Sequence, residues 1–305
     1  MKFKAKIKNI MFSIIDFLFR GYFTYWIRPK YPSKIKTVPA YFDDDVIIVM
    51  QGPFIKKNNF TLENLRYYRK IFPNTIIILS IWNDCSDYDL KTINKIEKVY
   101  VVLNEKPNKI GRANLNLQIT NTISGINKAI ELGAKYICKC RTDQRMYNKY
   151  SLLYMKNMVQ KFPVEITDVA KGRIVACSLG TFSERLYNIC DMVIFGYSED
   201  VKLYFDVPLD LNCGGNPNDY LDPIEYAKIR PGEIYFSTNY IEKCGFDLKW
   251  SFEDSDYYRN KLFCIIDFES IDLFWGKYTK KEYIWKKYSE YIHKRVTHMD
   301  WLIEQ

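Results

Sequence analysis

The segment from Ala134 to Arg145, Ala-Lys-Tyr-Ile-Cys-Lys-Cys-Arg-Thr-Asp-Gln-Arg, holds the densest chemistry in this chain of 305 residues. Ile137, Cys138 and Cys140 suit the interior of a sheet, whereas Arg141, Asp143 and Arg145 do not. A buried strand that ends in an acid and two arginines puts them where open α/β sheets bind ligands, beyond the carboxyl ends of the strands. The charges there suit an anionic substrate. The alternative is a strand running into a solvated turn. The chain has only two histidines, His293 and His298, both near the C-terminus, so a general base is expected to be a carboxylate. Two acids qualify. Asp191 follows Ile189-Cys190 and precedes an apolar run, where it could equally cap a strand. Glu233 follows Pro231-Gly232 at a helix start, where the helix dipole favours an acid with or without catalysis.

The elements that must position these groups alternate. Asp43-Asp44-Asp45 precedes Val46–Met50, a short apolar run of the kind a central parallel strand shows, and Gln51-Gly52-Pro53 ends it in a sharp turn. Thr61 to Ile71 has helical apolar spacing, with Thr61 as N-cap and Pro73 just beyond. Strands are expected over Thr75–Ser80, Val99–Leu103 and Tyr136–Cys140, with a loop through Trp82, Asp84 and Asp87. A helix from Asn116 to Leu132 is closed by Gly133. Further strands fall at Arg173–Ser178 and Met192–Phe195, followed by a loop from Leu211 to Pro223. A helix runs from Pro231-Gly232-Glu233 through Cys244 to Gly245, and a helical, locally basic tail covers Tyr278–Ile303. This alternation predicts an α/β fold around a mostly parallel sheet. No GxGxxG, GxxxxGK[ST] or GxSxG occurs, which argues against a dinucleotide fingerprint, a P-loop and a nucleophile elbow.

Charge divides the chain unevenly. Nine Lys and Arg lie between Met1 and Lys36 against Asp16 alone, so this arm carries +8 of the formal +9 and the body is almost neutral. A nucleic-acid partner is therefore not expected. Ile7, Met11, Ile14, Leu18 and Tyr22 share one helical face, with lysines around them. The segment is too short and too polar to span a bilayer. It fits an interfacial helix on an anionic membrane surface, with an ordinary helix packed on the body as the alternative. Pro29, Pro32 and Pro39 then form a stiff linker. Eight scattered cysteines with no CxxC pair argue for free thiols and against zinc. The expected division is an arm at 1–40, a catalytic domain at 41–250 and a helical extension at 251–305 packed on it.

Several short segments in a fixed order resemble the WavE family of lipopolysaccharide-synthesis proteins, read as glycosyltransferases of GT-A-like fold. They are Ile48-Val49-Met50-Gln51-Gly52-Pro53, Thr61 with Arg69-Lys70-Ile71-Phe72-Pro73, and Ile78-Leu79-Ser80-Ile81-Trp82. Asn116-Leu117-Gln118-Ile119, Gly125-Ile126 and Lys139-Cys140-Arg141-Thr142-Asp143-Gln144-Arg145 follow. Asp191-Met192-Val193-Ile194-Phe195-Gly196 and Pro231-Gly232-Glu233 complete the set. The resemblance implies a Rossmann-type mixed sheet flanked by helices, a nucleotide-sugar donor, and a glycan or lipid-linked glycan acceptor at the cytoplasmic face of the plasma membrane. It further implies a nucleoside pocket at Gln51, Gly52 and Pro53, with Trp82, Asn116, Gln118 and Arg141 also on the donor. Asp143 stands at the last acid of a DxD motif that holds Mg²⁺ or Mn²⁺. Arg141 replaces the first acid, so Arg141 and Arg145 could instead neutralise the leaving phosphate without metal. Leu117 stands where the family would carry an arginine, which transfers that phosphate contact to Arg112 or removes it. Asp191 or Glu233 would be the base of an inverting enzyme. Two other functions remain: a sugar nucleotidyltransferase, disfavoured by the lack of a Gly-rich basic loop after the first strand, and a non-catalytic scaffold that has kept the fold.

Overall fold

A computed structural model describes residues 2–19, 28–40, 45–211, 222–275 and 295–305. At its centre lies strand β1 (Val46–Gln51), buried along its whole length. It pairs in parallel with β2 (Ile76–Trp82) on one edge and β4 (Tyr136–Arg141) on the other. A strand flanked this way has both faces covered, which is why its sequence is a continuous apolar run. β3 (Val99–Asn104) extends the parallel part. Beyond β4, β7 (Ile194–Tyr197) is antiparallel to both β4 and β6 (Ile174–Cys177), and β8 (Phe263–Ile266) lies parallel to β6. The sheet order is β3-β2-β1-β4-β7-β6-β8. The fold is thus α/β, with a mostly parallel seven-stranded sheet flanked by helices.

Helices α2 (Phe60–Ile71) and α4 (Leu115–Glu131) provide the crossovers after β1 and β3, and α3 (Asp87–Ile93) follows β2. α4 presses close to the sheet at Gly125, where an added Cβ would sit 2.6 Å from Val49 and 3.1 Å from Ser80. The register pairs Val49 with Ile78 and with Lys139, so the three share the face that α4 covers. α5 (Ser151–Lys161) is tied to the entry of β1 by Lys156, whose Nζ donates to Asp45 at 2.8 Å. α6 (Ser198–Phe205), α7 (Pro223–Lys228), α8 (Glu233–Lys243), α9 (Phe252–Leu262) and α10 (His298–Ile303) follow. A small ribbon pairs β5 (Gln144–Met146) with β9 (Leu273–Trp275).

Thr142 joins these pieces at the end of β4. Its N–H donates to the Gln51 carbonyl, its hydroxyl donates to the Pro53 carbonyl at 2.7 Å, and its own carbonyl accepts from Thr61 and Asn64 of α2. Thr61 is therefore not the helix cap expected from its position. α2 starts at Phe60 after Asn59 in the left-handed region, and the Thr61 hydroxyl accepts from the N–H of Ile55. The expected boundary at 250 also shifts, because α9 leads directly into β8, the edge strand of the main sheet. Most of the expected helical tail, 276–294, lies outside the described residues, as do 212–221 of the Asn- and Gly-rich loop.

At the N-terminus α1 (Lys2–Phe19) is helical as its periodicity implies. Among the described residues, no helix is long and apolar enough to cross a membrane. Ile7, Ile10, Met11, Ile14, Phe17 and Leu18 on α1 are 48–83% exposed. After the undescribed residues 20–27, the linker docks on the β5–β9 ribbon: Arg28 pairs with Asp272, and Tyr147 donates its hydroxyl to the Pro29 carbonyl at 2.8 Å.

Gly52 has φ of +127°, and a Cβ there would lie 2.8 Å from the Thr142 hydroxyl. Gly52→Ala is expected to destabilise the fold by ~2–3 kcal/mol, from backbone strain and the displaced Thr142 hydrogen bond. Urea unfolding should show it, and a change below about 0.5 kcal/mol would mean that the turn relaxes freely.

Candidate functional site

Two charged groups on one face of β4 define the site, because side chains two apart on a strand point the same way. Arg141, at the open end, forks onto Asp143: Nε donates to Oδ1 at 2.8 Å and an Nη to Oδ2 at 3.0 Å. Trp275 of β9 donates its indole N–H to the same Oδ2 at 3.0 Å, and its ring centroid lies 5.4 Å from the Arg141 guanidinium carbon. Burial alone would raise the Asp143 carboxyl, but these hydrogen bonds and the adjacent guanidinium charge hold it below the usual aspartate range.

Two residues further in, Lys139 has no exposed surface. Its ammonium donates to the backbone carbonyl of Asp191 and lies over the Phe205 ring of α6. Burial lowers the Lys139 pKa, and the Asp191 charge partly restores it. Asp191, itself buried, accepts from the side-chain amide of Gln118 on α4. Glu233 opens α8 beside this pair and is half-buried. Burial, and then the Asp191 charge, raise its carboxyl from 4.5 to about 7, against the opposing pull of its own backbone N–H, Arg185 and Lys139. A carboxylate with a pKa near neutrality is suited to take up a proton at physiological pH. Asp191 and Glu233, two separate candidates in the sequence, thus belong to one electrostatic cluster.

Other candidates have different placements. Arg145 is buried and its donors turn inward, to the carbonyls of Lys30 and Phe60, the Asn64 amide oxygen and the Tyr147 hydroxyl. It packs over Phe60 at 4.5 Å. This corrects the expectation that it meets a leaving phosphate: it clamps the linker and α2 to the ribbon. Asn116 is a loop tie, donating to the carbonyls of Lys109 and Asp210 and accepting from the Asp210 N–H. Arg112 pairs with Asp210 at 3.1 Å, and Leu117 is half-buried on α4. Gln118 supports Asp191. Gln51 and Gly52 are buried at the end of β1, Pro53 is exposed beside them, and Trp82 is buried at the end of β2. Sequence reasoning did not single out Lys139, Thr142, Asn64, Arg185 or Trp275. A lysine inside the apolar run Tyr-Ile-Cys-Lys-Cys was the one available signal.

The divalent cation implied by the family resemblance would rest on Asp143, and the donor set does not fit it. Both carboxylate oxygens already accept hydrogen bonds, and a guanidinium occupies the position of the second acid. Among the described residues, no three His, Cys, Asp or Glu side chains converge on a point that could hold a metal. A unit positive charge about 4 Å from a divalent ion opposes it by ~8 kcal/mol at an effective dielectric of about 20.

The sheet is mostly parallel and α/β, of Rossmann-type architecture, with charged groups at the strand ends. The family model described as WavE lipopolysaccharide synthesis matches residues 46–210, and the chain belongs to that family. No curated protein matches the sequence. Among solved structures, the chain is similar to 4-diphosphocytidyl-2C-methyl-D-erythritol synthase at 10% identity and a TM-score of 0.32, over 54% of this chain and 80% of that one. It is also similar to mannose-1-phosphate geranyltransferase from Thermus thermophilus at 12% identity and a TM-score of 0.30, over 53% of this chain and 63% of that one. Likenesses this distant transfer no activity.

The raised Glu233 pKa has a thermodynamic consequence. Its folded value lies above its unfolded value, so the folded state binds the extra proton between about pH 4.5 and 7, and stability falls as pH rises through that window. Glu233→Gln should therefore be more stable than wild type at about pH 8, with the advantage fading by about pH 4.5. Urea titrations across that range test this, and a difference independent of pH would show that the carboxyl is not perturbed.

Proposed function

We propose that this protein transfers a sugar from a nucleotide-sugar donor to a hydroxyl of a growing surface glycan, lipopolysaccharide or capsule. The observation that carries this reading is the gathering of Glu233 and Asp191 about Lys139 of β4, the strand whose outer end bears the Arg141–Asp143 pair. The donor lies across the ends of β1 and β4, its nucleoside against Gln51, Gly52 and Pro53. Arg141 meets the diphosphate, with Asp143 and Trp275 fixing its orientation. Glu233, as carboxylate, accepts the acceptor hydroxyl's proton while that oxygen attacks the anomeric carbon and the nucleoside diphosphate departs. This is an inverting displacement. Asp191 contributes by keeping the Glu233 pKa high, and Lys139 by preventing the two acids from repelling each other unopposed.

Membrane attachment through residues 1–30 complements this reading. The exposed residues of α1 form one apolar stripe, since at 100° per residue Ile7, Ile10, Met11, Ile14, Phe17 and Leu18 fall within about a third of the helix circumference. The same segment of the sequence carries four lysines, Lys2, Lys4, Lys6 and Lys8. An apolar stripe in a cationic segment suits a helix lying in the headgroup plane of an anionic bilayer, at the inner face of the plasma membrane.

Glu233→Gln should retain donor binding and lose transfer by about 10²–10⁴-fold, with the wild-type rate rising with pH through about 7. Product formation from radiolabelled nucleotide-sugars onto membrane glycan acceptors measures it. Unchanged turnover would remove Glu233 from the chemistry, and loss of no activity in any site variant would favour the scaffold. In flotation assays, the full chain should bind phosphatidylglycerol-containing vesicles, ignore phosphatidylcholine alone, and bind less at about 1 M salt, where screening reduces charge attraction to a few Å. Ile14→Asp with Leu18→Asp should abolish binding. Equal binding to neutral vesicles, or a dimer that the same substitutions dissolve, would overturn the membrane assignment.

A further inference from the structure

The mismatch between Asp143 and a metal ion leads to a more specific conclusion, which rests on the donor reading above. We infer that Arg141 takes the place of the divalent cation: its guanidinium, aimed by Asp143 and backed by Trp275, binds the donor diphosphate directly, and donor recognition needs no metal.

Three observations support this. The pair presents its cation rather than its anion to solvent, since the Arg141 side chain is 23% exposed and that of Asp143 is 9%. Asp143 is held from two sides, by the Arg141 fork and by the Trp275 indole, so the guanidinium plane is fixed between a carboxylate and an aromatic ring. With Nε and one Nη engaged by Asp143, the outer Nη edge of the guanidinium is held in a fixed plane, which is the edge that would meet a phosphate oxygen. Third, the register places Arg141 directly beside Gln51, at the turn into Gly52 and Pro53 to which the donor reading assigns the nucleoside.

Charge balance is consistent with the exchange. Two carboxylates around one divalent ion sum to zero, and so do Arg141 and Asp143. Replacing the first acid by arginine and omitting the ion therefore leaves the same net charge facing the donor. Arginine remains protonated at any pH at which the protein is folded, so this cation is not lost to chelators. Lys139 cannot substitute for it, because its ammonium is wholly buried and committed to the Asp191 carbonyl.

Isothermal titration of the full-length chain with UDP, GDP, CDP and ADP, in EDTA and then in Mg²⁺ or Mn²⁺, tests the inference. At least one diphosphate should bind in EDTA with an affinity that added metal does not change. Arg141→Gln should weaken that binding at least about tenfold with no rescue by Mn²⁺, and Arg141→Lys, which keeps the charge but not the fork, should recover it only partly. Melting curves of both variants establish that they fold. Binding that appears only with metal and survives Arg141→Gln would overturn the inference and leave the transferase reading intact. If folded wild type binds no nucleotide with or without metal, the donor reading fails and the inference fails with it.

Discussion

A lysine ammonium with no solvent exposure, in the middle of a central strand, constrains everything around it. Leaving such a charge unpaired would cost several kcal/mol, a large part of the net stability of a domain. Lys139 must therefore have acids and carbonyls brought to it. The Asp191 carbonyl comes from the connection between β6 and β7, and Glu233 from the start of α8. Phe205 of α6 covers the ammonium from the helical layer. One buried cation thus draws the C-terminal half of the fold against β4, and it gathers two carboxylates at a spot that could otherwise not hold both. The arrangement leaves Glu233 incompletely compensated, since burial and Asp191 outweigh Arg185 and Lys139. That residual imbalance disfavours the ionised form in the folded state, and it is what suits the group to the role of base proposed for it.

The parts of the fold legible in the sequence are those whose signals are local. Val46–Met50 and Tyr136–Cys140 read as buried strands because apolar runs of that length between turn signals have few other solutions, and Gly133 and Gly245 marked helix ends that the structure keeps at φ of +81° and +92°. The β5–β9 ribbon was not legible. Each strand has three residues, and the pairing joins Arg145 to Phe274 far along the chain, a relation that no window of sequence contains. α5 and α9 were missed for a related reason: Lys156 and Arg259 are largely buried, and their polarity hides the periodicity that a helix would otherwise show.

The site shows the same limit at the level of single residues. Arg141 and Arg145 look equivalent in sequence, both cations flanking Asp143. Their separation depends on strand parity and on distant partners. Arg141 shares the face of Lys139 and stands at the open end of the strand. Arg145, on β5, meets the carbonyls of Lys30 and Phe60 and becomes a structural clamp. Asp191 and Glu233 were identified individually from residue type and context. Their mutual influence was not accessible, because it arises only where folding brings two segments distant in sequence together about Lys139.

The two cations of β4 make the case for a division of labour. Lys139 and Arg141 are two residues apart, so about 7 Å separates them along one face. Each is matched by acids of its own, Lys139 by the Asp191–Glu233 cluster and Arg141 by Asp143. Lys139 and Asp191 are buried, and burial with the Asp191 charge raises the pKa of Glu233 beside them, which suits proton transfer. The outer set is partly solvated and forked, which suits a ligand that must arrive and leave. In a displacement at an anomeric carbon, a proton leaves the acceptor on one side while negative charge develops on the departing phosphate at the other. With the roles proposed for them, the cluster about Lys139 and the pair at the tip of β4 would meet both demands from one rigid element. On the proposed reading neither demand calls for a metal ion at Asp143, because Arg141 supplies positive charge at the leaving group.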